Sequence, residues 1–120
     1  MTMRLIKDNK KKYCFIMDME VRDYELVCEQ IVNNANYLHY MEHTRHKFCA
    51  DAGLSFNAMH AAGYDAVVRK IEIEYIRSLV GGDSFISCIS LDRKGPRFIF
   101  HQDIIKSNGD IAASAVVTVV

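Results

Sequence analysis

From Val67 to Val120 the chain alternates apolar and polar residues with few interruptions, and three clusters of turn residues cut the run into four pieces. In the first piece Val67, Arg69, Ile71, Ile73 and Tyr75 fall on one side, and Val68, Lys70, Glu72, Glu74 and Ile76 on the other. A period of two marks a strand, because successive side chains point to opposite faces of a sheet. Gly81-Gly82-Asp83, Arg93-Lys94-Gly95-Pro96 and Ser107-Asn108-Gly109-Asp110 have turn chemistry. Four strands joined by such short connections predict an antiparallel sheet, and its apolar face needs a cover.

The cover lies upstream. Tyr37, Met41, Thr44, Phe48 and Ala52 form one stripe at helical spacing. Asn33, Asn34 and Asn36 offer side chains that cap a helix start, and Gly53 suits its end. Residues Phe56 to Ala62 read as a second short helical piece before Gly63. Ahead of the long helix, Tyr13, Phe15, Met17, Met19 and Val21 alternate with Cys14, Ile16, Asp18, Glu20 and Arg22, so a further strand is expected there. The expected class is α+β, with one antiparallel sheet of about five strands against a long helix in a single domain, residues 1–120.

A chain of 120 residues buries roughly two-thirds of its unfolded surface on folding. Lys and Arg number 15, as do Asp and Glu, so no overall field attracts nucleic acid or acidic lipid. The one basic cluster, Lys7 with Lys10, Lys11 and Lys12, reads as a solvated lead-in to the first strand. Cys14, Cys28, Cys49 and Cys88 are widely spaced with no C-x-x-C pair, which argues against a zinc ribbon and fits a reducing, cytoplasmic setting. No apolar run approaches the ~20 residues of a membrane span, and the N-terminus has no signal-peptide core.

The segment Val21 to Tyr40, VRDYELVCEQIVNNANYLHY, carries a more specific signal. It resembles the active-site segment of hotdog-fold acyl-CoA thioesterases of the 4-hydroxybenzoyl-CoA thioesterase family. Val21, Arg22, Tyr24, Glu25, Ile31, Val32, Asn36 and Tyr37 match that family's pattern, while its catalytic Asp is Val27 here and its Gly before Ile31 is Gln30. AVVRKIEIEYIRSLVGGDSF is similar to the family's second and third strands. The resemblance implies a hotdog fold, with the sheet wrapped around the central helix. It implies hydrolysis of a thioester to free CoA and a carboxylic acid, with no cofactor. It also implies a homodimer or homotetramer with the pocket between subunits. The partner is then an acyl-CoA or acyl carrier protein thioester, with no nucleic acid and no membrane.

In that family the thioester carbonyl lies against the helix N-terminus, where orphan N–H groups and the helix dipole stabilise the developing oxyanion. The matched backbone donor is Asn34. Val27 can act neither as nucleophile nor as base, so Glu29 becomes the candidate base, ahead of Glu25 and of Cys28 as a thiolate. Val27, Gln30, Asn33 and Tyr37 are the expected substrate-binding positions. Gln in place of Gly, a residue used where a ligand approaches the backbone or φ is positive, implies a reshaped pocket. The alternative is a degenerate hotdog protein that binds acyl thioesters without cleaving them.

Other constellations carry less. His39, His43 and His46 share a face opposite the apolar stripe and read as solvated or interfacial, with no metal assigned. His101 and Asp103, two apart on a strand, read as an exposed pair without a role. Arg69 and Lys70 have no specific phosphate signal, and Gly81-Gly82 lacks the phosphate-loop form.

Overall fold

The computed structural model of the protein describes residues 13–22, 31–53, 61 and 67–120. Their elements, in chain order, are β1 (Phe15–Glu20), α1 (Asn34–Asp51), β2 (Val68–Tyr75), β3 (Ser84–Lys94), β4 (Arg97–Lys106) and β5 (Ile111–Val119). All five strands form one sheet in the order β1-β3-β4-β5-β2, with every pairing antiparallel. The helix-on-sheet arrangement expected from the pattern is therefore present. Of the second short helical piece, only Ala61 is described, and it is helical; the rest lies outside the described residues.

The β3–β4 turn is tighter than its four-residue signal suggested. Lys94 pairs with Arg97, which leaves Gly95 and Pro96 to reverse the chain. Gly95 does so at φ +59°, a region that costs glycine little.

Alternation places Phe85, Ile89, Phe100, Ile104, Ala113, Ala115 and Val117 on the sheet face that meets Tyr37, Tyr40 and Met41 of α1. Met41, Ile89 and Ile104 are 0% exposed, and burial of such side chains stabilises the fold by about 2 kcal/mol each. The helix buries a broader face than the expected stripe. Tyr40 and Arg45 join Tyr37, Met41 and Thr44, while Ala52 lies past the helix end and is exposed. Arg45 lies inside because its Nη1 donates to Gln102 Oε1 at 2.8 Å, and Gln102 Nε2 donates in turn to the Met41 carbonyl at 3.0 Å. Thr44 hydrogen-bonds Ser87 Oγ at 2.7 Å and the Tyr40 carbonyl at 2.6 Å. The core beneath the helix thus holds two polar ties with their buried side-chain atoms satisfied.

Two expectations change on the opposite face of the sheet. Tyr13 does not share a face with Phe15, since pairing with β3 begins only at Phe15. Tyr13 packs instead on the cluster of Ile86, Cys88 and Ile105. Its hydroxyl donates to Asp103 Oδ2 at 2.5 Å, and Ser114 donates to Oδ1 at 2.7 Å. Asp103 is therefore not part of an exposed pair: it is 7% exposed and held by both donors. His101 does face solvent, and it contacts Asp92 at 3.2 Å.

Candidate functional site

The start of α1 is fixed from two directions. Asn33 caps it with extended backbone (φ −61°, ψ 138°), and its side-chain oxygen accepts from the Ala35 N–H at 3.0 Å. A cap of this kind is worth about 1 kcal/mol. From the other side, the β2–β3 connection grips the entering chain. Ile31 bridges Val80, and the Val32 N–H donates to the Leu79 carbonyl at 2.9 Å. The Leu79 N–H donates to the Tyr37 hydroxyl, also at 2.9 Å. Leu79 is wholly buried, so both its backbone groups are committed to holding the helix start.

Two of the first three amides of α1 have partners. Ala35 is satisfied by the Asn33 side chain and Asn36 by the Asn33 carbonyl at 2.9 Å. Among the described residues the Asn34 N–H is left without a partner, and Asn33, Asn34 and Ala35 are all exposed. The first turn carries no acidic residue to offset the positive end of the helix dipole. An uncommitted N–H at that end suits the binding of a developing negative charge.

Tyr37 is 2% exposed, so it is a floor beneath this amide rather than a surface beside it. Burial pushes its phenol above the ordinary value, against the Leu79 N–H, which favours the ionised form. Tyr75, at the end of β2, reaches the first turn of α1 on the carbonyl side of Asn34. Its ring lies edge-on to Tyr37 with centroids 5.4 Å apart, its hydroxyl is 3.4 Å from the Asn34 carbonyl oxygen, and it is 40% exposed. In sequence Tyr75 reads only as another alternating strand residue. Its approach to the helix start depends on β2 pairing with β5, Tyr75 opposite Ala113. No local pattern encodes that pairing.

The structure thus brings Asn33, Asn34 and Tyr37 together. Val27, Glu29 and Gln30, with Glu25 and Cys28, lie outside the described residues. His39, His43 and His46 are exposed on the outer side of α1. His43 also lines an open groove of about 550 Å³ beside β1, with Met17, Met19, Arg22, Ser84 and Phe85. Nine residues of helix separate it from Asn34, about 13 Å along the axis, so the groove wall at His43 is distinct from the amide. On the edge strand, Lys70 is engaged by Glu72 at 3.1 Å. Among the described residues, no helix is long and apolar enough to cross a membrane.

Comparison with known proteins places this geometry in a family. An acyl-acyl carrier protein thioesterase of Arabidopsis thaliana, ATL2, chloroplastic, is 35% identical over 95 residues, covering 75% of this chain and 48% of its own length. The chain spans about half or less of the curated relatives it matches. Among solved structures, the YbaW probable thioesterase of Escherichia coli superposes with a TM-score of 0.75 at 32% identity, over 88% of this chain and 80% of that one. The protein SAV2348 of Staphylococcus aureus, solved in complex with CoA, shares the fold with a TM-score of 0.83 at 20% identity, over 91% of this chain and 69% of that one. The pattern of the thioesterase-like superfamily matches residues 22–120. With one antiparallel five-stranded sheet against one long helix among its described residues, this chain belongs to the thioesterase-like superfamily and has the hotdog fold of its thioesterases.

Proposed function

We propose that this chain hydrolyses acyl thioesters of CoA or of acyl carrier protein, releasing the thiol and a carboxylic acid. The observation that carries the reading is the Asn34 N–H, which belongs to an exposed residue and has no partner among the described residues, at the positive end of a helix with no acid in its first turn. A thioester carbonyl placed there accepts a hydrogen bond that strengthens as attack moves charge onto its oxygen. Water is the nucleophile, and Glu29, two residues after Val27, is the base that takes its proton. Val27, Gln30 and Asn33 border the acyl group, with Tyr37 beneath. ATL2 acts on acyl carrier protein thioesters by its name, and SAV2348 was solved with CoA, so both thiol carriers belong in the proposal.

The proposal includes a homodimer or homotetramer in a cytoplasmic setting. The outer edge of β2 supports self-association, since Val68, Ile71 and Tyr75 are each at least 40% exposed along it. An edge strand with unpaired backbone groups is a template for pairing.

Val27 favours a second reading, a protein that binds acyl thioesters after losing its catalytic carboxylate. Such a loss commonly removes several orders of magnitude in rate and leaves the pocket. Thiol release measured over aromatic and aliphatic acyl-CoAs and acyl carrier protein thioesters separates the two. Turnover by the wild type, abolished in Glu29→Gln, is the result expected of the hydrolase. A silent wild type that gains turnover in Val27→Asp means the binder.

A further inference from the structure

Resting on the hydrolase reading above, we propose that Lys106 and Asp83 are positioning residues for the reaction. They pin the β2–β3 connection, residues 76–83, which grips the chain on both sides of the segment that carries the candidate base. On one side the Val21 N–H, just past the end of β1, donates to the Asp83 carbonyl at 2.9 Å. On the other, the Val32 N–H donates to the Leu79 carbonyl at 2.9 Å, and Ile31 bridges Val80. Val27, Glu29 and Gln30 lie between Val21 and Ile31 in the sequence, and Val32 leads into the helix start at Asn34. One connection therefore sets where this segment leaves the sheet and where it enters α1.

Two anchors hold the connection in turn. At its start the N–H groups of Ile76 and Arg77 both donate to the Ala112 carbonyl of β5, at 2.8 and 3.0 Å. Its far half is anchored by side chains. Lys106, at the end of β4, donates from Nζ to the Ser78 carbonyl at 3.1 Å and lies 3.6 Å from Asp83 Oδ2. The same Oδ2 accepts from the Val80 N–H at 2.9 Å. Leu79 and Val80, which touch the entering chain, are thus bracketed by Ser78 and Asp83, and Lys106 spans the bracket. The two side chains are only 20% and 25% exposed, so water screens this pair less than an open surface bridge. Neither group need touch the substrate. They act through the backbone of Leu79, Val80 and Asp83, and a shift of about 1 Å at a reacting group can cost as much as 10²-fold in rate.

Lys106→Met keeps a long apolar stem and removes the charge. In the thioester assay kcat per folded molecule is expected to fall about tenfold, with KM within about threefold of wild type. Asp83→Asn keeps an acceptor for the Val80 N–H and loses the ion pair, so it should behave alike. Lys106→Arg, which restores a charged donor, should recover most of the rate. A merely structural pair would lower the melting temperature and leave kcat per folded molecule unchanged, and that result overturns the positioning role. Hydrogen exchange at the Val21 and Val32 amides reads the clamp without turnover. Both should exchange faster in Lys106→Met, and wild-type protection at both overturns the clamp while leaving the hydrolase reading intact. A wild type that turns over no thioester in the panel overturns the hydrolase reading and, with it, the positioning role.

Discussion

The buried face of α1 changes character along its length. Its first two turns present Tyr37 and Tyr40, which continue an aromatic row from Tyr75 on β2 to Phe85 on β3, with successive centroids 5.4, 6.3 and 4.9 Å apart. Its third turn presents Thr44 and Arg45, which reach Ser87 on β3 and Gln102 on β4. The polar turn has its buried side-chain atoms satisfied among protein groups, while the aromatic turn ends beside Asn34, an exposed residue whose N–H has no protein partner among the described residues. Completed polar ties specify how helix and sheet align. An uncommitted donor at a helix start is suited to a ligand. Substitutions in the third turn should therefore change stability alone, and substitutions around the first turn should change turnover as well.

Gln102→Leu is the harshest way to probe the polar turn. It removes the acceptor from a guanidinium that burial already pushes below its ordinary pKa. A cost of about 3 kcal/mol is expected in urea unfolding. Adding Arg45→Met should recover most of it, because the buried charge leaves with its partner. Wild-type kcat in the folded fraction of both variants would keep the two turns distinct, and a large loss of kcat would merge them. Tyr37→Phe strands the buried Leu79 N–H, so about 2 kcal/mol should be lost, together with activity.

Asn33 sharpens the contrast further. Asn33→Ala loses about 1 kcal/mol of capping. Asn33→Asp keeps the cap and favours the dipole, yet its charge beside the Asn34 amide opposes an oxyanion. Stability at or above wild type with kcat lowered roughly tenfold is the expected pair of results. Unchanged kcat in Asn33→Asp would count against Asn34 as the donor.

The mildest effect is alkaline. Burial raises the phenols of Tyr13 and Tyr37, with Asp103 adding to the effect on Tyr13. Below about pH 10 both phenols are protonated, folded or unfolded. Above it the unfolded chain ionises first, so their contribution is lost as the pH rises further. Urea midpoints measured from pH 8 to 11 should fall above pH 10, and less steeply in Tyr13→Phe.

The layered fold was legible because its signals are local. The alternation in Val67–Val120, the turn clusters and the stripe from Tyr37 to Phe48 each follow from the period of one element. The helix start was legible for the same reason, through Asn33 and the match at Asn36 and Tyr37. What escaped depends on distant pairing. Arg45 lies outside the expected stripe, and it is Gln102, 57 residues on, that holds it inside. Asp103 reads as solvated until Tyr13 crosses the sheet to reach it. Tyr75 joins the site only through the register of β2 on β5, which sets an edge-strand residue against the first turn of a helix that precedes it in the chain.

The strand order has a consequence for the way the molecule assembles. β3, β4 and β5 follow one another and pair with their neighbours in sequence, whereas Phe15 of β1 must find Ile89 and β2 must pass over β3 and β4 to reach β5. Closing long loops costs entropy before the contacts they permit are made. During synthesis β1 emerges first and waits, with Phe15, Met17 and Met19 lacking their sheet partner, until most of the chain has left the ribosome. Its partner β3 is nevertheless complete before β4 and β5, so β1–β3 is the first pairing that synthesis permits, and β2–β5 is the last. β2, made before all three strands of the meander, stays without its sheet partner until the last of them, β5, is made.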